Sequence, residues 1–163
     1  MSGPTHASFA FTIYLAVSSI MTLYQPEHSM FLLLGALFPD IDHHGSMVGK
    51  RIFLIRRFLT HRKQTHSIPV ALLLLVVGLI SFPQHWTFVL AFFIGVVSHI
   101  LLDLFNLSGV YLFWPFLNKR ISFRSNRGKA YRKRESFIDR TLLLGFAILS
   151  GLMLFYEYKQ SFL

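Results

Sequence analysis

Residues 86–105 read WTFVLAFFIGVVSHILLDLF, twenty positions with one formal charge, Asp103, and one histidine, His99. As a helix this run reaches across a hydrocarbon core of about 30 Å, and no water-soluble fold leaves it an easy place. It is the longest of several such runs. SFAFTIYLAVSSIMTLY (8–24) is uncharged and ends at Gln25-Pro26-Glu27, IPVALLLLVVGLISF (68–82) ends at Pro83-Gln84-His85, and TLLLGFAILSGLMLFY occupies 141–156. SMFLLLGALF (29–38) stops at Pro39 and is too short to cross alone. It is either a half-span buried among the other helices or a span whose last turns carry Asp40 and Asp42.

Composition points the same way. Of the 163 residues, 53% are hydrophobic and 14% charged, against about 25% charged in a soluble domain, and the mean hydropathy is +0.53. The chain lacks the polar surface to stay in water. No repeat and no linker divides it, so the expectation is one all-α domain, residues 1–163, folded as a multi-pass transmembrane helical bundle of about five membrane segments. The Val110–Leu117 stretch, VYLFWPFL, reads as interfacial from its aromatics and Pro115. Met1–Ser8 carries no basic stretch and no cleavage pattern follows the first run, which is therefore read as a retained helix rather than a secretion signal.

Charge gives an orientation. Of the 16 lysines and arginines, all but Lys159 fall between Lys50 and Lys63 or between Lys119 and Arg140, and short loops rich in lysine and arginine stay cytoplasmic. Five crossings put both basic loops and the N-terminus on the cytoplasmic side, and the C-terminus on the other. The run Arg124–Arg134 is read as a topology anchor lying against anionic lipid headgroups. Its charge alone is compatible with nucleic acid, but no readout motif accompanies it, and no nucleic-acid partner is expected.

On this topology the polar residues gather at one face. His6 precedes the first span, Asp40, Asp42 and His43 end the second, His61 and His66 precede the third, His99 and Asp103 end the fourth, and Glu135 precedes the fifth. Only His28 and His85 map to the opposite side, in short corners. His99 and Asp103, four apart, share one helical face. An unpaired carboxylate at that depth costs about 2.5–3.5 kcal/mol on insertion scales, which either a buried His–Asp hydrogen bond or a bound cation would relieve. Pro39-Asp40-Ile41-Asp42-His43 is a polar helix stop or a ligand source, and Thr65 or Ser67 could cap the third helix. The chain has no cysteine, so a metal site must be built from imidazole and carboxylate, a set suited to zinc, manganese or iron.

The set Thr5-His6, Phe38-Pro39-Asp40-Ile41-Asp42-His43, His61-Arg62, Thr65-His66-Ser67 and Ser98-His99-Ile100-Leu101-Leu102-Asp103 resembles the YdjM-like family of bacterial inner-membrane proteins. Its members are described as LexA-regulated and assigned to the metal-dependent hydrolases. The likeness runs from about His6 to Glu135 and takes in Gly109 and Leu112-Phe113-Trp114-Pro115. More distantly, the order His, Asp, His, His-x-x-x-Asp is similar to the ligand order of zinc-dependent phospholipase C and the related nucleases. That likeness implies His6, Asp40, His66, His99 and Asp103 as metal ligands, with Asp42 a ligand or a brace. The chain departs from these patterns at Lys63-Gln64, where the family commonly has a glycine after its His-Arg pair, and in lacking the final His-x-x-x-Glu of the soluble enzymes.

The expected chemistry is metal-dependent hydrolysis of a phosphoester, lipid-like, at the cytoplasmic membrane face. Divalent metal would activate water, Asp42 or Glu135 would act as general base, and Arg62 and the basic loops would draw in an anionic substrate. No serine or cysteine nucleophile is apparent. The rival is a non-enzymatic membrane protein that holds a structural metal or transports one.

Overall fold

The structure, a computed structural model, describes residues 2–21, 25–43, 62–106, 108–123 and 131–160, and the side chains of all of these except 19–21, 131–136, 157 and 160. Most of the first basic loop with His61, the segment 124–130 and the side chain of Glu135 lie outside the described residues.

The chain is all-helical. Helices α1 (Gly3–Met21), α2 (Pro26–Leu37), α3 (Ile68–Ser81), α4 (Trp86–Leu104) and α5 (Tyr131–Gln160) follow one another, with 3-10 turns at Pro39–Asp42 and Pro83–His85. Among the described residues there is no strand, only an isolated bridge between Val110 and Ile121 in the connection from α4 to α5. Proline sets the punctuation. Pro26 opens α2 and Pro69 lies in the first turn of α3, where the missing N–H costs nothing. Pro39 and Pro83 open the two 3-10 turns. At about 1.5 Å per residue, the 12 residues of α2 do not cross a bilayer core, but the Pro39–Asp42 turn continues the helix and carries Asp40 and Asp42 at its end.

Helix α4 is the hub. It packs most extensively against α2 and also meets α1 and α3, while α5 packs along α1. The α2–α4 contact is close because each side supplies a glycine. A Cβ on Gly35 would lie 2.0 Å from the Phe92 carbonyl oxygen, and one on Gly95 would lie 2.1 Å from the Leu32 carbonyl oxygen. No side chain fits at either position, so backbone meets backbone, as small residues permit in membrane helix pairs. Along α1 and α5 the Thr12 and Ser150 hydroxyls share a hydrogen bond of 2.9 Å.

The outward faces are apolar. Phe137, Leu144, Ile148, Leu152 and Phe155 on α5, and Leu73, Val77 and Ile80 on α3, are exposed. In water this would be a large sticky patch; in lipid it is the expected solvent face. Two stretches among the described residues are long and apolar enough to cross a membrane, Pro83–Leu104 and Phe137–Tyr156. With the apolar inside used up by helix contacts, the buried histidines and aspartates collect at one end, where α1 begins and α2 and α4 finish.

Candidate metal centre

Four elements deliver the polar side chains: the first turn of α1 brings His6, the 3-10 turn after α2 brings Asp40 and Asp42, the turn before α3 brings His66, and the last turns of α4 bring His99 and Asp103. His6, His66, His99 and Asp103 are all but sealed from solvent. Asp40 and Arg62 form the more open edge, each with 16% of its side chain exposed.

The α2–α4 glycine contact decides how His99 is held. It brings the Ala36 carbonyl oxygen to 2.6 Å from His99 Nδ1. Only a protonated Nδ1 can donate to a carbonyl, so Nε2 is left with its lone pair facing inward. His99 Nε2 then stands 3.3 Å from His66 Nε2, 3.8 Å from Asp40 Oδ1 and 4.0 Å from Asp103 Oδ2. His66 Nε2 lies 3.5 Å from the same Asp103 oxygen. The other Asp103 oxygen is 3.2 Å from His6 Nε2. The His6 ring is stacked on that of His99, with centroids 3.7 Å apart and planes 12° apart.

These spacings suit a cation. Donor atoms about 2.0–2.2 Å from a tetrahedral ion stand roughly 3.3–3.6 Å from one another. Two groups of three have donor atoms within 4.8 Å of each other: His6, His99 and Asp103, and Asp40, His66 and His99. Together they contain the five residues that the phospholipase-like ligand order implies. His6 supplies the test of fit. Both of its ring nitrogens are buried without a hydrogen-bond partner, because the approach of Nε2 to Asp103 does not have hydrogen-bond geometry. Leaving such atoms unmet costs about 1–3 kcal/mol, and a metal accepting the Nε2 lone pair accounts for one of them.

Asp42 stands behind His66 and is in neither group. Its Oδ2 accepts from the Arg62 backbone N–H at 2.9 Å and from the Thr65 hydroxyl at 2.5 Å, and lies 3.5 Å from His66 Nδ1. Of the three roles expected for it, ligand, brace and general base, this geometry matches the brace, a carboxylate behind an imidazole whose other nitrogen faces the cluster. Burial by itself would lower the His66 pKa, but the hydrogen bonds and negative charge of Asp103 and Asp42 outweigh it and hold the pKa above its ordinary value. Thr65 and Ser67 do not cap α3. Thr65 donates to Asp42, and Ser67, at the N-cap position without a side-chain cap, donates to the Trp114 carbonyl.

Arg62 has a left-handed backbone, φ 63°, a conformation that costs a residue with a side chain about 1 kcal/mol or more. The bond from its N–H to Asp42 helps to hold it there. Its guanidinium reaches Ser108 and comes within 3.7 Å of Asp103 Oδ2. His43 is exposed, and His28 and His85 lie at the far ends of their helices.

Two supporting residues had no functional signal in the sequence. Asn106 donates to Asp103 Oδ1 at 2.8 Å, and only its spacing of three from Asp103 could have suggested it. Ala36 contributes a backbone carbonyl, which no side-chain motif reveals. Asp139 accepts from the Ser2 N–H at 2.9 Å and the Thr5 hydroxyl at 2.8 Å. It ties the start of α1, and with it His6, to α5.

Over 92 residues the chain is 37% identical to the inner membrane protein YdjM of Escherichia coli (strain K12), covering 51% of this chain and 46% of that protein. The inner membrane protein YdjM of Shigella flexneri gives the same figures. The chain thus spans about half the length of these relatives. It is 28% identical over 121 residues to the uncharacterized protein YvsG of Bacillus subtilis (strain 168), covering 72% of this chain and 71% of that one. No solved structure matches. The model of the family described as YdjM inner membrane protein matches residues 1–160, and with nearly the whole chain inside it, the protein belongs to the YdjM family of bacterial inner membrane proteins.

Proposed function

We propose that this chain is a metal-dependent hydrolase of phosphoesters, acting at the cytoplasmic face of the inner membrane. In this reading the bundle crosses the membrane five times, with the N-terminus and both basic loops in the cytoplasm. The observation that carries the proposal is the convergence of His6, Asp40, His66, His99 and Asp103 from four elements, with the His6 nitrogens buried and unbonded. These five residues would hold divalent metal, zinc or manganese, which when bound supplies Lewis acidity to a phosphoryl oxygen and to water.

The chain's own residues supply the rest. Asn106 and Arg62 steady Asp103 from two sides, Asp42 and Thr65 hold His66, and the Ala36 carbonyl fixes the His99 tautomer. The Arg62 guanidinium, at the open edge, is placed to meet an oxygen of an anionic substrate. Glu135, whose side chain lies outside the described residues, is the carboxylate assigned in this reading to take a proton from water. Asp42 is committed to the Arg62 backbone and Thr65, so its role is orientation.

A structural metal is the second reading, favoured by the near-complete burial of His6, His66, His99 and Asp103. The two are separated by one experiment on purified protein. Metal content is measured together with hydrolysis of phospholipids and soluble phosphoesters, for the wild type and for Arg62→Gln and Glu135→Gln. The hydrolase reading expects metal in all three proteins and turnover only in the wild type, or much reduced in the variants. Metal without hydrolysis of any phosphoester leaves the structural role. Reporter fusions after Ser46 and Lys129 test the topology, and opposite sides for the two loops would refute it.

A further inference from the structure

Between α4 and α5 the chain folds back over the turn that carries Arg62 and His66. The Ile68 N–H donates to the Leu112 carbonyl at 2.9 Å, the Tyr111 N–H to the Arg62 carbonyl at 3.2 Å and the Phe123 N–H to the Leu104 carbonyl at 2.8 Å. A reciprocal pair between Val110 and Ile121, 3.0 and 2.9 Å, closes the loop on itself. This framework sets Tyr111 beside Arg62 and brings two cations from separate segments to one ring. Lys63 Nζ lies 5.6 Å and the Arg120 guanidinium 5.1 Å from the centre of the Tyr111 ring.

Among the described residues neither cation has a carboxylate partner. The nearby acids are already engaged, Asp42 by the Arg62 backbone and Thr65, Asp103 by Arg62, Asn106 and the histidines. An aromatic face offsets only about 0.5–1 kcal/mol per exposed cation, so two positive groups are left with charge that no described acid answers. The same loop exposes Phe113, Phe116, Leu117 and Phe123, with Phe116 at 81%. Aromatic side chains beside lysine and arginine are what a membrane interface selects, the rings at headgroup level and the cations on lipid phosphates.

We propose that Lys63, Arg120 and Tyr111 form a docking site for the phosphate headgroup of an anionic membrane phospholipid, with the exposed apolar side chains of the loop among its acyl chains. The inference rests on the phosphoester reading above and names its substrate class, since a headgroup docked there lies next to Arg62 and the edge of the metal centre. Free phosphate shares the charge but leaves the exposed faces of Phe113 and Phe116 uncovered.

The chain has two tryptophans, and Trp86→Phe leaves Trp114, inside the loop, as the sole indole reporter. The full-length protein in neutral detergent micelles is titrated with phosphatidylglycerol, phosphatidylcholine or inorganic phosphate while Trp114 emission is followed. A saturable change with phosphatidylglycerol alone, weakened by salt, is expected. Lys63→Gln with Arg120→Gln should raise the apparent Kd about 30-fold, the effect of two basic groups at a lipid surface, and Lys63→Arg with Arg120→Lys should restore it. Unchanged binding in the glutamine variant, or an equal response to phosphatidylcholine, overturns the proposal. Saturation by inorganic phosphate alone overturns the lipid assignment. Binding is read without turnover, so a protein that docks the headgroup but hydrolyses nothing breaks the hydrolase reading and leaves this one standing.

Discussion

At one end of α4, His99 and Asp103 are sealed among His6, His66, Asp40 and Asn106; at the other, His85 is exposed beside an exposed Trp86. The far end has its own cavity, about 560 Å³, lined by Phe31, Leu74, Phe82, His85, Phe88 and Phe92. His28 and His85 each approach Phe88 there, at 5.0 and 6.0 Å between ring centres, and no carboxylate among the described residues pairs with them. The difference is one of cost. An exposed imidazole satisfies itself with water or headgroups, whereas a buried one must be paid for by partners on both nitrogens. Histidine as a residue type therefore signals nothing in this chain; histidine without water, facing carboxylates, signals a ligand.

The strongest way to break this contrast is to empty the polar end. His99→Ala and Asp103→Ala should each abolish metal binding by elemental analysis and destabilise the protein by about 3 kcal/mol or more, a fall in Tm of roughly 6–12 °C. His85→Ala should do neither. Equal metal content in the three variants would reduce the His99–Asp103 pair to a helix-joining contact.

A smaller effect should come from the backbone that supports the site. Gly95→Val places side-chain carbon against the Leu32 carbonyl, and overpacking of this kind costs about 1–3 kcal/mol. Because it also moves Ala36 away from His99, metal affinity should drop, whereas Gly145→Val, at a glycine with open space around it, should leave both affinity and Tm nearly unchanged. A Gly95 variant with wild-type affinity would show that the Ala36 carbonyl does not set the histidine.

Asp42→Asn should be milder still in stability but visible in metal titrations. Loss of a carboxylate behind a ligating imidazole typically weakens metal binding by about 10–100-fold. An unchanged affinity would remove Asp42 from the support of His66.

The smallest effect is that of pH. Metal needs His66 neutral, and in the metal-free protein its pKa is raised, first against burial and then by Asp103 and Asp42. Protons therefore begin to compete above the ordinary imidazole value of about 6.5, and metal affinity should decline as the pH falls toward and through that range. Isothermal titration in buffers of different ionisation enthalpy should register proton release on binding; none would mean that His66 is not a ligand.

The sequence by itself determined the apolar character of the helices, their proline boundaries and the identities of the candidate ligands. These are local properties: a run of twenty apolar residues needs lipid or a core whatever surrounds it, and the order of His, Asp and His-x-x-x-Asp motifs is visible in one dimension. Tertiary structure decided which of those residues meet. Asp40 and Asp42 are two apart and both candidate ligands, yet a 3-10 turn sends one to His99 and the other behind His66. Thr65 and Ser67 look like helix caps, but the turn before α3 spends them on Asp42 and Trp114. The tautomer of His99 hangs on a carbonyl 63 residues away, reachable only because Gly35 and Gly95 let two helix backbones touch, and distance along the chain carries no record of such a contact.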